Sequence, residues 1–213
     1  MKNHNDFRVI PLFPLPNVVF FPKTYLPLHI FEPRYQEMVQ DIEEEDRIIG
    51  IVLLKEGWEM NYYDRPEICS IGCAGEMVKI ERLEEGRFNI ILKGLYKFSV
   101  KDQYFDKSYR QAFVETFLPN KTEEELPKNI KKILNSLLQK QRMRLKSDET
   151  SLSHLKTEMD DETFVNMLSF ALPLSNLEKQ FLLDSENLVR QTKRLIELIQ
   201  LQTFETNPPS ESG

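Results

Sequence analysis

The chain has 213 residues, of which 40% are hydrophobic and 29% are charged. This length fits one domain or two small ones, and the composition is that of an ordinary soluble globular protein. The net charge of −6 argues against a nucleic-acid binder that depends on phosphate contacts, and seven glycines are few for glycine-rich phosphate loops.

The N-terminus and the cysteines indicate a cytoplasmic protein without a metal site. Residues 1–7 contain no apolar signal core, and no run approaches the ~20 apolar residues of a membrane span. Cys69 and Cys73 lie about 13 Å apart if they share a strand, which is too far for a disulfide. No second Cys/His pair completes four zinc ligands, so we expect reduced thiols, no metal and no cofactor.

Residues 9–35 are rich in both proline and large apolar side chains, and six of the twelve prolines lie here. This density of proline excludes a helix and a central hydrogen-bonded strand. The apolar content is too high for a solvated loop. We therefore predict short extended segments, bent at prolines and buried on at least one side. Pro33 then begins a short helix that ends near Asp41, because proline suits the first helical position.

The next two segments predict strands. Residues 47–54 are almost continuously apolar, which is typical of a buried central strand. In residues 58–66, Trp58, Met60 and Tyr62 alternate with polar neighbours at the strand period of two. We therefore expect one central strand, followed by a strand with a single apolar face.

A long strand, a hairpin and two returning strands complete the N-terminal half. The segments are a strand at residues 68–83, a turn at residues 84–86, an antiparallel strand at residues 87–100 and a closing strand at residues 109–118. Gly72 and Gly75 mark a bend or bulge in the first of them. Val78 and Ile80, together with Met77, are expected to point toward the core.

After Pro119 the apolar period changes from two to 3.6, which predicts helices. Ile130, Ile133 and Leu134 mark the apolar face of the first helix. The expected starts are capping boxes at residues 122–125 and 175–178, a cap at Asp160 or Asp161, and a cap at Asp184 or Ser185 for the last and longest helix. The pattern thus divides the chain into a β-rich part with one short helix (residues 1–119), a helical part (residues 120–206) and a disordered tail (residues 207–213).

The proline-rich segment resembles the opening of the Lon protease N-terminal domain. The resemblance rests on IPLFPLPNVVFFP at residues 10–22 and LPLHIFEPRY at residues 26–35. It continues over residues 71–78, residues 86–98 and the helical residues 171–190, and it weakens between Pro119 and Asp160. Lys97 departs from the pattern, because the family usually has arginine there. The chain is most similar to the bacterial version that stands alone, without ATPase or protease modules.

The resemblance implies an α+β fold: a PUA-like, β-rich pseudo-barrel with one short helix, followed by an α-helical bundle. It also implies a non-enzymatic module that binds unfolded or partner polypeptides. The sequence agrees, since it has no Walker motif and no serine–lysine protease site, and its three histidines come with no signalled catalytic partner. The module is alternatively a regulatory partner of a separate ATP-dependent protease, or it acts with a chaperone.

Apolar residues of the proline-rich segment and of residues 58–63 are the candidates for peptide binding. Large aromatic side chains and methionine suit adaptable apolar recognition. The candidate residues are Leu12, Phe13, Phe20, Phe21, Trp58, Met60 and Tyr62. The alternative for the last three is that they only pack on the sheet, which is the ordinary meaning of alternation.

A strongly basic helix supplies an electrostatic alternative. Residues 126–147 carry seven basic residues and no acid. Lys128, Lys131 and Lys132 share a helix face, and with Arg142 they are candidates for binding an acidic partner or nucleic acid. The competing explanation is a solvated face that nearby acids neutralise, and we favour it. We expect a monomer or a weak homo-oligomer, with the last helix packed on the first long helix.

Overall fold

The computed structural model describes residues 6–44, 46–62, 64–117, 125–145 and 159–205. The strands are β1 (Phe7–Leu15), β2 (Tyr25–Ile30), β3 (Ile48–Leu53), β4 (Ile71–Arg82), β5 (Phe88–Tyr104) and β6 (Gln111–Phe117). The α-helices are α1 (Pro33–Ile42), α2 (Lys128–Leu145), α3 (Asp161–Ala171), α4 (Asn176–Leu183) and α5 (Leu188–Glu205). None of these helices is long and apolar enough to cross a membrane.

The six strands form one sheet that closes on itself. Their order is β2-β5-β4-β3-β1-β6, and β6 also pairs with β5. Five strands therefore make a ring, and β2 extends the sheet beside the first part of β5. β1 and β3 run parallel, and the other strand pairs are antiparallel. The prediction that residues 109–118 close the sheet is confirmed.

β5 is long enough to serve two partners along one edge. Its first part pairs with β2, up to Lys93 opposite Tyr25, and its second part pairs with β6 from Lys97 onward. Gly94 lies at the changeover, where a Cβ atom would come 2.2 Å from the backbone oxygen of Phe21. A side chain at this position would collide with the main chain that crosses it.

β1 contains two prolines, and it can do so because its two halves pair with different neighbouring strands. The sequence argument against a central strand in residues 9–35 is wrong here, because β1 lies between β3 and β6. Residues 7–11 pair with β6, however, and residues 12–15 pair with β3. Each part needs backbone donors on one edge only, a condition that tolerates Pro11 and Pro14.

Buried apolar side chains fall into three clusters. The first packs α1 against the sheet and includes Met38 and Ile49. The second joins the sheet, through Phe21, to helices α2 to α5. The third includes Val52 and Phe98. Because alternate side chains of a strand face opposite ways, β3 supplies residues to both the first and the third cluster, which confirms its prediction as a buried central strand.

Polar contacts also hold the helices on the sheet. The side chain of Gln180 in α4 donates to the backbone oxygen of Ile71 at 3.1 Å. The ammonium group of Lys97 in β5 donates to the backbone oxygens of Leu183, at 3.3 Å, and of Ser185. Burial lowers the pKa of Lys97. Within the helical part α5 contacts α2, α3 and α4, which confirms that the last helix packs on the first long one.

Two predicted helix starts are confirmed. The side chain of Asp160 accepts a hydrogen bond from the backbone N–H of Thr163 at 2.9 Å and caps α3. Ser175 and Glu178 form the reciprocal capping box of α4. Residues 122–124 of the predicted capping box lie outside the described residues, as does the predicted tail at residues 207–213. Glu125 is described and is not helical, because α2 begins only at Lys128, after Pro127.

The cap of α5 corrects the sequence prediction. The side chain of Asn187 accepts a hydrogen bond from the backbone N–H of Arg190 at 2.9 Å. Asp184 and Ser185 instead belong to the end of α4, where their backbone N–H groups donate to carbonyls of that helix. All three residue types are good caps, so local sequence did not select among them.

Two apolar residues face outward against expectation. The pairing of β4 with β5 shifts register between Met77 and Lys79. Met77 is consequently buried, whereas Val78 is 47% exposed. In α2, Ile133 is 46% exposed while Leu134 is buried, because only one stripe of this helix meets its neighbours. The predicted bulge near Gly75 is confirmed by a register shift next to Ala74.

Candidate functional site

Four of the predicted peptide-binding residues are part of the core. Leu12, Phe13, Phe20 and Phe21 are at most 7% exposed. Phe13 and Phe20 pack in the first cluster, Phe21 in the second and Leu12 in the third. These side chains have no surface to offer a peptide in this fold, which corrects the sequence prediction for them.

Residues 58–62 form a surface segment rather than the predicted strand. Gly57 has a φ of 84°, which turns the chain, and a short 3₁₀ helix spans Trp58–Asn61. Trp58 and Tyr62 are partly buried and meet edge to face, with ring centroids 5.5 Å apart. Met60 is 88% exposed. The strand predicted from the period-two spacing is wrong, because a helical turn can also place two aromatic rings together.

Tyr62 lines a cleft of about 410 Å³. The cleft lies between the start of α1, the segment that follows the 3₁₀ helix, and the loop between β5 and β6. Its charged lining residues are Glu32, Arg34, Asp64, Arg65, Lys107 and Arg110. Tyr35, Phe105 and Tyr109 add aromatic surface. We call this space the arginine cleft.

One wall of the arginine cleft is a closed polar network. Arg34 donates twice to Glu32 Oε2, at 2.8 and 3.1 Å, and the Tyr62 hydroxyl donates to Glu32 Oε1 at 2.6 Å. The Arg34 guanidinium also lies 4.7 Å from the ring centroid of Tyr35 and 5.1 Å from that of Tyr62. Burial works to lower the pKa of Arg34, but Tyr35 and Glu32 outweigh it and the pKa is raised. This network ties the 58–62 segment to α1.

The opposite wall presents two arginines on one aromatic ring. Arg65 and Arg110 lie with their guanidinium carbons 3.9 and 5.5 Å from the ring centroid of Phe105. Arg110 also donates to the backbone oxygen of Pro66 at 3.0 Å. Burial lowers the pKa of Arg110, and the positive charges of Arg34 and Arg65 lower it further. The cleft therefore concentrates positive charge in a partly desolvated space.

The loop between β5 and β6 is anchored on α1. Lys107 Nζ and the Tyr109 hydroxyl both donate to Asp41 Oδ2, at 2.7 and 2.8 Å. The hydrogen bonds from Lys107 and Tyr109 lower the pKa of Asp41. Ser108 donates to Glu37 Oε2 at 2.8 Å. These contacts hold the Arg110 end of the loop in place without using Arg110 itself.

The predicted basic face of α2 is partly neutralised. Lys131 forms an ion pair with Asp161 at 2.6 Å, whereas Lys128 and Lys132 are exposed. The side chain of Arg142 lies outside the described part of the chain. A role for this face in binding stays a prediction.

The chemistry available in the arginine cleft is recognition of anions and aromatic or apolar groups. Its lining includes neither histidine nor cysteine, and Ser108 is bonded to a carboxylate rather than to a base. Across the described residues, no three His, Cys, Asp or Glu side chains are arranged to hold a metal ion. His29 lies elsewhere, on β2, where it bonds Asn89 at 2.9 Å.

Sequence reasoning missed the arginine cleft because its residues come from three separate segments. No sequence pattern singles out Arg65 or Arg110. The one local signal was the run FDKSYR at residues 105–110, in which basic and aromatic residues alternate in a loop. Closure of the sheet brings that loop beside α1.

Comparisons with known proteins place the chain in a family. The family model described as "ATP-dependent protease La (LON) substrate-binding domain" matches residues 9–200. Lon protease 2 of Myxococcus xanthus is 25% identical over 197 residues, covering 90% of this chain and 23% of that protein. Lon protease 2 of Sorangium cellulosum (strain So ce56) is 28% identical over 110 residues, covering 52% of this chain and 14% of that protein. The chain thus spans about a quarter or less of these relatives.

Two solved structures share the fold. The Lon N-terminal domain protein from Xanthomonas campestris has a TM-score of 0.67 at 22% identity, covering 89% of this chain and 98% of that one. The N-terminal domain of Mycobacterium avium complex Lon protease has a TM-score of 0.67 at 15% identity, covering 91% and 98%. Since the family model matches most of its length, the chain belongs to the ATP-dependent protease La (LON) substrate-binding domain family.

Proposed function

We propose that the protein is a non-enzymatic module that binds unfolded or partner polypeptides, and that residues 58–62 with the arginine cleft form its contact surface. The observation that carries this proposal is the exposed Met60 side chain, in a short surface segment whose Tyr62 lines the cleft. The family supplies the class of ligand, because its description is a substrate-binding domain.

The physical properties of this surface suit polypeptide binding. Met60 is a flexible and polarizable side chain, and such side chains adapt to many apolar partners. Trp58 and Tyr62 add rigid area whose ordering costs little entropy. The hydrogen bond from Tyr62 to Glu32 holds this segment against α1, so that less freedom is lost on binding.

A single substitution tests the apolar part of the surface. Met60→Glu places a charge where an apolar partner would pack, and burial of a methionine side chain contributes about 1.5–3 kcal/mol. We expect about a tenfold or greater loss of affinity for a fluorescently labelled, chemically unfolded apolar-rich protein, measured by anisotropy. Because Met60 is 88% exposed, the fold should tolerate the change.

Leu177→Glu is the matched control, since Leu177 is a 60% exposed apolar residue on α4. This variant should bind as tightly as the wild type. Equal losses in both variants, or no binding by the wild-type chain, would contradict the proposal.

The remaining sequence predictions differ in support. The prediction of nucleic-acid binding loses support, because Lys131 is paired with Asp161 and the net charge is −6. Action together with a separate ATP-dependent protease is supported by relatives that are named Lon proteases. That partnership, a chaperone partner, the cytoplasmic location, the PUA-like label and the description of the helices as a bundle all stay predictions.

A further inference from the structure

We propose that the arginine cleft binds a carboxylate group of the bound polypeptide through Arg65 and Arg110. This inference rests on the proposed function and names the chemical group that the polypeptide presents there. The carboxylate belongs either to an acidic side chain or to the chain terminus, and the experiment below separates the two sources.

The first support is the pairing of charges around the arginine cleft. Arg34 is paired with Glu32, and Lys107 is paired with Asp41. For Arg65 and Arg110, by contrast, no carboxylate of the described residues lies within ion-pair distance. Two cations that share one wall of a concave site, and that form no ion pair with the described carboxylates, attract an anion.

The second support is the geometry of the two guanidinium groups. The guanidinium carbons of Arg65 and Arg110 lie 3.9 and 5.5 Å from the ring centroid of Phe105, so that both cations adjoin the same aromatic side chain. A guanidinium has five N–H donors. One terminal nitrogen of the Arg110 guanidinium donates to the backbone oxygen of Pro66, and the other donors are available to a ligand. This hydrogen bond and the contact with Phe105 restrain the Arg110 side chain before a ligand arrives. A planar carboxylate matches such a fork with two parallel hydrogen bonds.

The third support is partial burial. The Arg110 side chain is partly removed from water, and its pKa is lowered by that burial and by its cationic neighbours. A cation that has already lost part of its hydration gives up less when it binds an anion. Its hydrogen bonds are also stronger in the lower local dielectric.

Local charge favours a carboxylate over a phosphate. Around the arginine cleft, the cations Arg34, Arg65, Lys107 and Arg110 face the carboxylates of Glu32, Asp41 and Asp64. With Glu37, which accepts a hydrogen bond from Ser108 of the lining, four positive charges meet four negative ones. A monoanion therefore disturbs the local charge balance less than a phosphate group, which carries about 1.5 to 2 negative charges at neutral pH. The exposed Met60 in the adjoining 58–62 segment also suits a peptide better than a nucleic-acid backbone.

A matched set of labelled peptides tests the inference with the full chain. One extended peptide contains apolar residues and a single glutamate, and a second has glutamine in its place. Each is made with a free and with an amidated C-terminus, and binding is followed by fluorescence anisotropy at low and high salt. We expect removal of the recognised carboxylate to weaken binding about tenfold. Whichever peptide form shows the loss identifies the source of the carboxylate.

The variants Arg65→Gln and Arg110→Gln should lose this discrimination, so that they bind the carboxylate and the amide forms alike. Arg65 is exposed, and its replacement should leave folding intact even if Arg110→Gln is less stable. Arg190→Gln, an exposed arginine on α5, is the control and should keep the full discrimination.

The outcomes separate this inference from the proposed function. If the wild-type chain binds all four peptides equally, the carboxylate site is refuted while polypeptide binding stands. If it binds none of them, the proposed function fails as well. If a phosphorylated peptide or a short oligonucleotide binds more tightly and depends on Arg110, the site is one for phosphate and the inference is overturned.

Discussion

At the scale of single residues, close backbone approach at Gly94 sets the strictest steric condition in the sheet. The chain at Phe21 crosses β5 where β2 stops pairing and β6 begins. A Cβ atom at position 94 would lie 2.2 Å from the Phe21 oxygen and 3.1 Å from the Cα atom of Pro22. Because both neighbours are main-chain atoms, no side-chain rotation relieves the overlap, and the closure of the sheet depends on this glycine.

We predict that Gly94→Ala destabilises the protein by about 3 kcal/mol, because the added methyl group must displace backbone rather than a flexible side chain. Urea unfolding followed by circular dichroism measures the change. Lys93→Ala alters the adjacent exposed residue of β5 and should shift the free energy of unfolding by less than about 0.5 kcal/mol. A similar loss in both variants would show that the close approach is not the cause.

The chemical character of single residues also explains which site residues could be identified from the sequence. Met60 and Tyr62 were identified from their chemistry alone, and both lie at the surface segment or the cleft beside it. Leu12, Phe13, Phe20 and Phe21 have the same chemistry and are buried. Apolar character is common to cores and binding surfaces, so it could not distinguish between them.

At the scale of elements, α3 is fixed at its start by one side chain. Asp160 accepts hydrogen bonds from Thr163. Its Oδ1 atom also lies 3.0 Å from Nζ of Lys23, which is in the turn that precedes β2. Partial burial works to raise the pKa of Asp160, but the hydrogen bonds from Thr163 and Lys23 outweigh it and lower the pKa to about 2. The same carboxylate thus caps a helix and joins the helical part to the sheet.

Asp160→Ala should lose both interactions and destabilise the protein by about 1–2 kcal/mol at pH 7. Asp160→Asn keeps a capping oxygen and should lose about 1 kcal/mol or less, since the carboxylate is half exposed and water screens its ion pair. Urea midpoints of the three proteins measure these differences, with Glu197→Ala on the exposed face of α5 as the control.

The sign of the pH dependence follows from the lowered pKa. A carboxylate whose pKa is lower in the folded state stabilises the fold above its unfolded pKa of about 3.8, and this contribution is lost as pH falls toward 2. The difference between wild type and Asp160→Asn should therefore be full at pH 6 and should shrink between pH 4 and pH 2. A difference that stays constant over this range would contradict the assignment.

At the scale of the whole molecule, the β-rich and helical parts share a core. Val19, Phe21 and Leu53 pack in one cluster with apolar side chains of the helices, and Lys97 donates to backbone oxygens at the end of α4. The domain limits at residues 119 and 206 stay a prediction. With a shared apolar cluster, the two parts should unfold together rather than one after the other.

Replacement of Lys97 tests this connection. Lys97→Met leaves two backbone oxygens without their donor and should destabilise the protein by about 1–3 kcal/mol. Lys97→Arg keeps a donor and should cost less than Lys97→Met does. Thermal unfolding monitored by near-UV and far-UV circular dichroism gives the measurement, and the two signals should coincide in the wild type. Separate transitions in the wild type would show that the two parts unfold independently.

Local sequence determined most of the succession of elements in this protein, the 58–62 segment and the central position of β1 being the exceptions. Proline at Pro33, alternation along β5 and β6, and capping residues such as Asp160 act through the geometry of a few neighbouring residues. The resemblance carried by residues 10–35 also identified the family correctly. These features needed no knowledge of the partner strands, because each depends on backbone conformation over short distances.

Tertiary structure decided register, exposure and the arginine cleft. The outward position of Val78 follows from a register shift that only the partner strand imposes, and the burial of Phe21 follows from helices that lie far along the chain. The convergence of Arg34, Arg65 and Arg110 arises when the sheet closes and brings the start of α1 and two loops together. Such placements depend on contacts between distant segments, and no local pattern encodes a distance across the fold.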